Sequence, residues 1–133
     1  MIIVDASVVV SAIADADEEG VIAVRRIMQE QALAPHLLDI EVAHALRSMN
    51  LRGDISEEAA RRGLRNLAAL RIMRIDHSLL LERCWALRHN LSAYDASYVA
   101  LAEHTGATLL TGDARLARAS GIECEVELIG PTA

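Results

Sequence analysis

A chain of 133 residues suits one compact domain, long enough to bury a real core. With 53% hydrophobic residues, 2% aromatics and no Phe, that core must be built from Val, Ile, Leu and Ala, and an aromatic stacking platform for single-stranded nucleic acid is not expected. A formal net charge of -6 argues against gripping nucleic acid over a broad basic surface, although the 13 basic residues, all Arg, can still form a local patch for phosphates.

In chain order, Met1 to Val4 form a β-branched run ending in Asp5, the pattern of a buried parallel strand with an acid at its carboxyl end. Ser7 is placed to cap a helix over Val8 to Ile13. The acids Asp15, Asp17, Glu18 and Glu19 suit the first turn of a second helix, which runs to about Gln31. Ala32 to Pro35 read as a short strand. Leu37 to Met49 then show helical periodicity, with Leu38, Val42, Ala45 and Met49 on one face and Glu41 on or beside it, so that Glu41 points inward. Gly53-Asp54 breaks the chain, and Ser56 caps a helix through Leu70. Ile72 to Ile75 give a third strand, followed by a helix from Ser78 to about His89.

From Leu91 onward the reading is denser. Ser92 and Asp95 have capping-box spacing, and Ala96, Val99, Ala100, Leu101 and Ala102 supply an apolar stripe, so a helix starts at about Ser92 and closes at Gly106. Ala107 to Leu110 read as a buried strand, and Thr111-Gly112-Asp113 turns the chain into a helix over Ala114 to Ala119. Glu125 to Ile129 alternate as a last strand before Gly130-Pro131 and a loose tail. Strands alternating with helices predict an α/β fold: a parallel sheet covered on both faces, with any site at the carboxyl ends of the strands.

Cys84 and Cys124, far apart and without CxxC spacing, indicate neither a disulfide framework nor a zinc knuckle, and read as reduced thiols of a cytoplasmic protein. The start of the chain has no basic region before its apolar run, so a signal peptide is not expected, and no apolar stretch approaches the roughly 18 residues of a membrane span.

Four acids stand out by position: Asp5, Glu41, Asp95 and Asp113. Each has an ordinary role open to it. Asp95 fits a capping box, Asp113 a helix cap, Asp5 a strand-end turn, and Glu41 a hidden ion pair with Arg. If they converge, their repulsion in a partly desolvated site must be offset by protons or by a cation, and oxygen donors without nearby Cys suit Mg²⁺ or Mn²⁺. Such a site activates water for phosphodiester hydrolysis, and two ions about 4 Å apart would clamp the attacking and leaving oxygens. Ser7 reads first as a helix cap, with a second option of holding a metal-bound water, and Thr111 is placed to steady Asp113. The five histidines show no ligand spacing, and His44 stands three residues after Glu41. Arg61, Arg62, Arg65, Arg71 and Arg74 form either a solvated face or a surface for RNA or a partner. Receiver domains and haloacid-dehalogenase-type phosphatases also place acids at strand ends, but both use a lysine, which is lacking here. The absence of GxxxxGK[ST] and GxGxxG removes the usual nucleotide-binding readings.

The stretches IIVDASVVVSAI, DIEVAHALR and YDASYVALAEHTGATLLTGDARLA, together with the size of the chain, resemble the PIN-domain ribonucleases, and within them the VapC-type toxins of bacterial toxin-antitoxin pairs. The resemblance implies a single PIN domain over 1–130 with a tail at 131–133. Its fold would be three-layered α/β/α, with a central, mostly parallel sheet of four to five strands. It carries the acidic metal site onto Asp5, Glu41, Asp95 and Asp113, with Ser7 and Thr111 at the positions of the small hydroxyl residues. At position 44 the family pattern often has Asn. The resemblance further implies Mg²⁺- or Mn²⁺-dependent RNA cleavage, a homodimer, and a higher-order complex with a VapB-type antitoxin whose C-terminal segment enters the acidic site. No membrane partner is implied. Two alternatives remain open beside it: an interaction or regulatory module with weak catalysis, and a structure-specific DNA nuclease.

Overall fold

The computed structural model describes residues 1–14 and 17–130. In chain order the elements are β1 (Ile2–Val4), α1 (Ala6–Ala14), α2 (Glu18–Met28), β2 (Ala32–Pro35), α3 (Leu38–Leu51) and α4 (Glu57–Ala69). They continue with β3 (Ile72–Ile75), a 3₁₀ turn (Ser78–Leu80) leading into α5 (Leu81–Ala86), α6 (Ala93–Thr105), β4 (Thr108–Thr111), α7 (Ala114–Ala117) and β5 (Val126–Leu128). The five strands form one all-parallel sheet in the order β3-β2-β1-β4-β5. The α/β class and the PIN-like α/β/α architecture expected from the sequence are those observed.

This order fixes where a site can be. The chain adds β2 and β3 on one side of β1, then crosses to the other side for β4 and β5. The crevice at the carboxyl ends of β1 and β4 is therefore the topological switch point, the usual place for a ligand in an open α/β sheet.

β1 is Ile-Ile-Val and almost wholly buried, as a strand covered on both faces requires. Above it lies α6, which packs on β1, β2 and β4 with α5 alongside. The apolar stripe expected on α6 is exceeded: every residue from Ala96 to Ala102 is buried, including Ser97 and Tyr98. A helix buried all round belongs to the interior, and its alanines let the backbone approach the sheet closely. Ser92 accepts from the Asp95 amide at 3.1 Å and starts the helix. Gly106 ends it in the left-handed region at φ 72°, from which the Ala107 amide returns to the Ala102 carbonyl. α1 packs on β4 and against α2, α3 and α4.

Several boundaries differ from the sequence reading. α2 stops at Met28 rather than Gln31, because the Gln31 carbonyl is already paired with the Ile2 amide. Its cap is Asp17, which accepts from Gly20 at 3.2 Å, with Glu18 and Glu19 in the first turn; Asp15 lies outside the described residues. The helix expected from Ser78 to His89 is a 3₁₀ turn followed by six α-helical residues, and its end tightens through Arg88-to-Trp85 and Asn90-to-Leu87 backbone bonds. α7 is likewise four residues rather than six. Among the described residues no helix is long and apolar enough to cross a membrane.

Candidate active site

Asp5 leaves the end of β1 and is the centre of the switch-point crevice, 6% exposed. It caps α1: its Oδ1 accepts the Val8 amide at 3.1 Å. The cap expected at Ser7 is thus displaced by two residues, and Ser7 stands inside the first turn. From there its hydroxyl donates to Asp5 Oδ1 at 2.6 Å and accepts the Gly112 amide at 2.8 Å. Thr111, fully buried at the end of β4, donates its hydroxyl to Asp5 Oδ2 and accepts the Asp113 amide at 3.0 Å. The expected support of Asp113 by Thr111 is present, through the backbone, and the same hydroxyl also secures Asp5. Two hydroxyls therefore lace the β1 end to the β4 end, with Asp5 holding three donors.

The turn between Thr111 and Asp113 is fitted to this lacing. A Cβ at Gly112 would lie 3.2 Å from Ser7 Oγ, tighter than ordinary contact, and 3.5 Å from the Ile129 carbonyl, so a side chain there would press on Ser7. Asp113 caps α7, accepting from the Arg115 amide at 2.9 Å, and its carboxylate is 3.6 Å from the Arg115 guanidinium.

Glu41 lies in the first turn of α3 and, as expected, faces inward. Its partner is no arginine: the Tyr98 hydroxyl of α6 donates to Oε1 at 2.6 Å. The sequence reading missed Tyr98, although it stands one turn after Asp95. The start of α3 is pinned to β3 by Arg74, which binds both oxygens of Asp39 at 3.1 and 2.6 Å and the Ile72 carbonyl at 2.5 Å. Arg74 is thereby a clamp, whereas Arg61, Arg62, Arg65 and Arg71 are exposed, Arg61 in an i,i+4 pair with Glu57. His44 is exposed.

The electrostatics connect all four acids. Burial pushes the Asp5 carboxyl above its ordinary value; bonds from Ser7, Thr111 and Val8 pull against that, and the charge of Asp95 adds to it. Glu41 is raised by burial, opposed by Tyr98, with Asp95 and Asp5 reinforcing the rise. Asp95 is raised by burial and by Asp113, with Ser92 and Arg115 opposing. Such a cluster favours protons or a cation.

Among the described residues no group of three or more His, Cys, Asp or Glu side chains is already drawn into a metal-ligand set. The charges of the four acids act on one another without forming a closed shell of ligands. Mg²⁺ tolerates that arrangement, since it keeps several waters and takes one or two carboxylates directly. The donor chemistry is all hard oxygen, and both thiols are free, Cys84 buried on α5 and Cys124 in the segment before β5.

The chain as a whole has known counterparts. The PIN domain profile matches residues 2–122. The chain belongs to the PIN-domain family. Ribonuclease VapC1 of Mycobacterium tuberculosis is 47% identical to it over 128 residues, covering 96% of each chain, which places this PIN domain in the VapC group. Among solved structures, VapC20 of Mycobacterium tuberculosis, described as a sarcin-ricin loop cleaving toxin, superposes with a TM-score of 0.66 at 18% identity, over 92% of this chain and 96% of that one. A chain of VapBC2 from Rickettsia felis, solved bound to a DNA fragment from its promoter, gives a TM-score of 0.67 at 15% identity, over 98% of this chain and 100% of that one. At such identities the two structures show the shared PIN fold.

Proposed function

We propose that this PIN domain is a Mg²⁺- or Mn²⁺-dependent endoribonuclease and the toxin of a toxin-antitoxin pair. The reading is supported by the mutual electrostatic influence of Asp5, Glu41, Asp95 and Asp113, with Asp5 and Asp113 at the two strand ends of the switch point, in a chain that shares 47% identity with a protein named a ribonuclease. Asp5, Asp95, Asp113 and Glu41 would hold the cation, directly or through water. When bound there, a divalent cation lowers the pKa of an attacking water and offsets charge building on the phosphodiester.

The chain's own groups hold that arrangement in advance. Asp5 is locked by Ser7, Thr111 and the Val8 amide, so its carboxylate need not reorganise. Tyr98 restrains Glu41, and Arg115, in a loose ion pair with Asp113 and 89% exposed, would be accessible to a substrate phosphate. The solved VapBC2 complex supports an antitoxin partner of the VapB type, and homodimerisation is part of the same reading.

Incubation of the purified protein with total RNA tests it. Cleavage should require Mg²⁺ or Mn²⁺, stop with EDTA, and be lost in Asp5→Asn and Asp95→Asn. Full-rate cleavage by either variant, or cleavage indifferent to EDTA, would falsify the proposal. Expression of the chain alone should arrest growth, and Asp95→Asn should relieve the arrest; growth unaffected by the wild-type chain would favour the interaction module.

A further inference from the structure

Tyr98 is 1% exposed, the largest fully buried side chain described and the single aromatic ring in the core. The ring contributes apolar burial as any aromatic would, but a buried phenol also needs a partner for its hydroxyl. Here it is aimed at Glu41 Oε1, 57 residues away in sequence, at 2.6 Å. Tyr98 and Asp95 stand three residues apart on α6, about 4.5 Å along a rigid helix. A bond from Tyr98 to Glu41 therefore sets the position of Glu41 relative to Asp95, between α6 and an α3 whose start the Arg74–Asp39 clamp already holds to β3.

We infer that Tyr98 is a positioning residue for the acidic site: its hydroxyl occupies Glu41 Oε1 and leaves Oε2 as the oxygen that serves the cation. Resting on the metal-dependent reading above, this makes Glu41 a single-oxygen donor whose placement comes from α6 rather than from its own helix. The hydroxyl also supplies the donor that lets the Glu41 carboxylate remain half-buried beside Asp5 and Asp95 when no cation is present.

The test is a Mn²⁺ titration of the metal-free protein, followed by the electron paramagnetic resonance signal of the free ion. Tyr98→Phe, which keeps the ring, should weaken Mn²⁺ about 10- to 100-fold, the usual effect of removing an outer-shell partner. In a Glu41→Ala background the same substitution should change the affinity by less than about twofold, because its effect passes through Glu41. Equal affinity of Tyr98→Phe and wild type, or the full loss persisting without Glu41, overturns the inference while leaving the metal site standing. Absence of Mn²⁺ binding by the wild-type protein overturns the metal reading itself, and this inference with it.

A second measurement leaves Tyr98 intact. In EDTA, Glu41→Gln retains an acceptor for the hydroxyl and Glu41→Ala does not. The Gln variant should melt higher even though alanine is the better helix former. The opposite order shows that the hydroxyl does not depend on residue 41, and overturns the inference.

Discussion

Replacing Thr111 by Val tests whether the hydroxyl lacing is what holds the site. The two side chains have nearly the same volume, so no cavity opens, and the change isolates one oxygen that is fully buried. Two groups lose their partner: Asp5 Oδ2, which accepts from the Thr111 hydroxyl, and the Asp113 amide, which donates to it at 3.0 Å. Stranding a buried polar group costs about 1–3 kcal/mol, and Asp113 is partly exposed, so water can replace some of its loss. The added methyl returns about 0.8 kcal/mol of burial. The net destabilisation is about 2–3 kcal/mol. For 133 residues the unfolding entropy near 60 °C is about 0.28 kcal/mol/K, so Thr111→Val should melt about 7–11 °C lower in EDTA. Thr111→Ser keeps the hydroxyl, loses one methyl, and should fall only about 4 °C. Calorimetry of the three metal-free proteins decides. A Val variant melting within about 2 °C of wild type, or a Ser variant less stable than the Val variant, would refute the view that Thr111 acts through its oxygen.

Three further outcomes follow from the same site. A carboxyl raised in the fold stabilises the protein below its unfolded value and loses that contribution as pH rises through the folded value; Asp5, Glu41 and Asp95 are all of this kind. In EDTA, Asp95→Asn should therefore melt above wild type at pH 8, the gap closing toward pH 4, and Mn²⁺ should reverse the order; differential scanning fluorimetry across pH checks this, and a gap that widens toward acid contradicts it. Gly112→Ala should cost about 1 kcal/mol by pressing on Ser7 Oγ, and a smaller penalty in a Ser7→Ala background, measured by urea unfolding, identifies that contact. Arg83 binds both oxygens of Glu103 at 2.6 and 3.1 Å and the Gly121 carbonyl at 2.9 Å, while Glu103 accepts the Glu123 amide at 2.8 Å. Arg83→Met should cost about 1–3 kcal/mol, speed hydrogen exchange at Glu123, and leave Mn²⁺ affinity unchanged.

Which features were legible in the sequence follows from how far apart the cooperating residues lie. Strand runs, the Ser92 start, the Gly106 stop and the strand-end acids are written within a few residues of themselves, and a local pattern finds them. Local chemistry offers a serine near a helix start one obvious role, while the actual acceptor and donor of Ser7 follow the ends of two adjacent strands: Asp5 two residues away, and Gly112 at a separation of 105. Tyr98 gave less warning still. Its partner is 57 residues distant, and a tyrosine among alanines on a helix reads as packing. The shortening of α2 has the same origin, since the strand pairing of Gln31 overrides a helical propensity that is continuous in the sequence.

The acids' place at helix starts and the cation site proposed for them rest on one arrangement. Asp5 caps α1 and Asp113 caps α7, while Asp95 and Glu41 lie in the first turns of α6 and α3. The charges of these acids act on one another, which links four helix starts electrostatically. The positive ends of the helices and their unpaired amides offset part of the carboxylate repulsion before any cation arrives. Such an offset favours the clustering of acids at the carboxyl edge of the sheet in a net-acidic chain that has no lysine. Asp5 and Asp113 each serve as a helix cap while their charges and those of Asp95 and Glu41 act on one another, so capping and acid clustering are compatible roles for the same side chains.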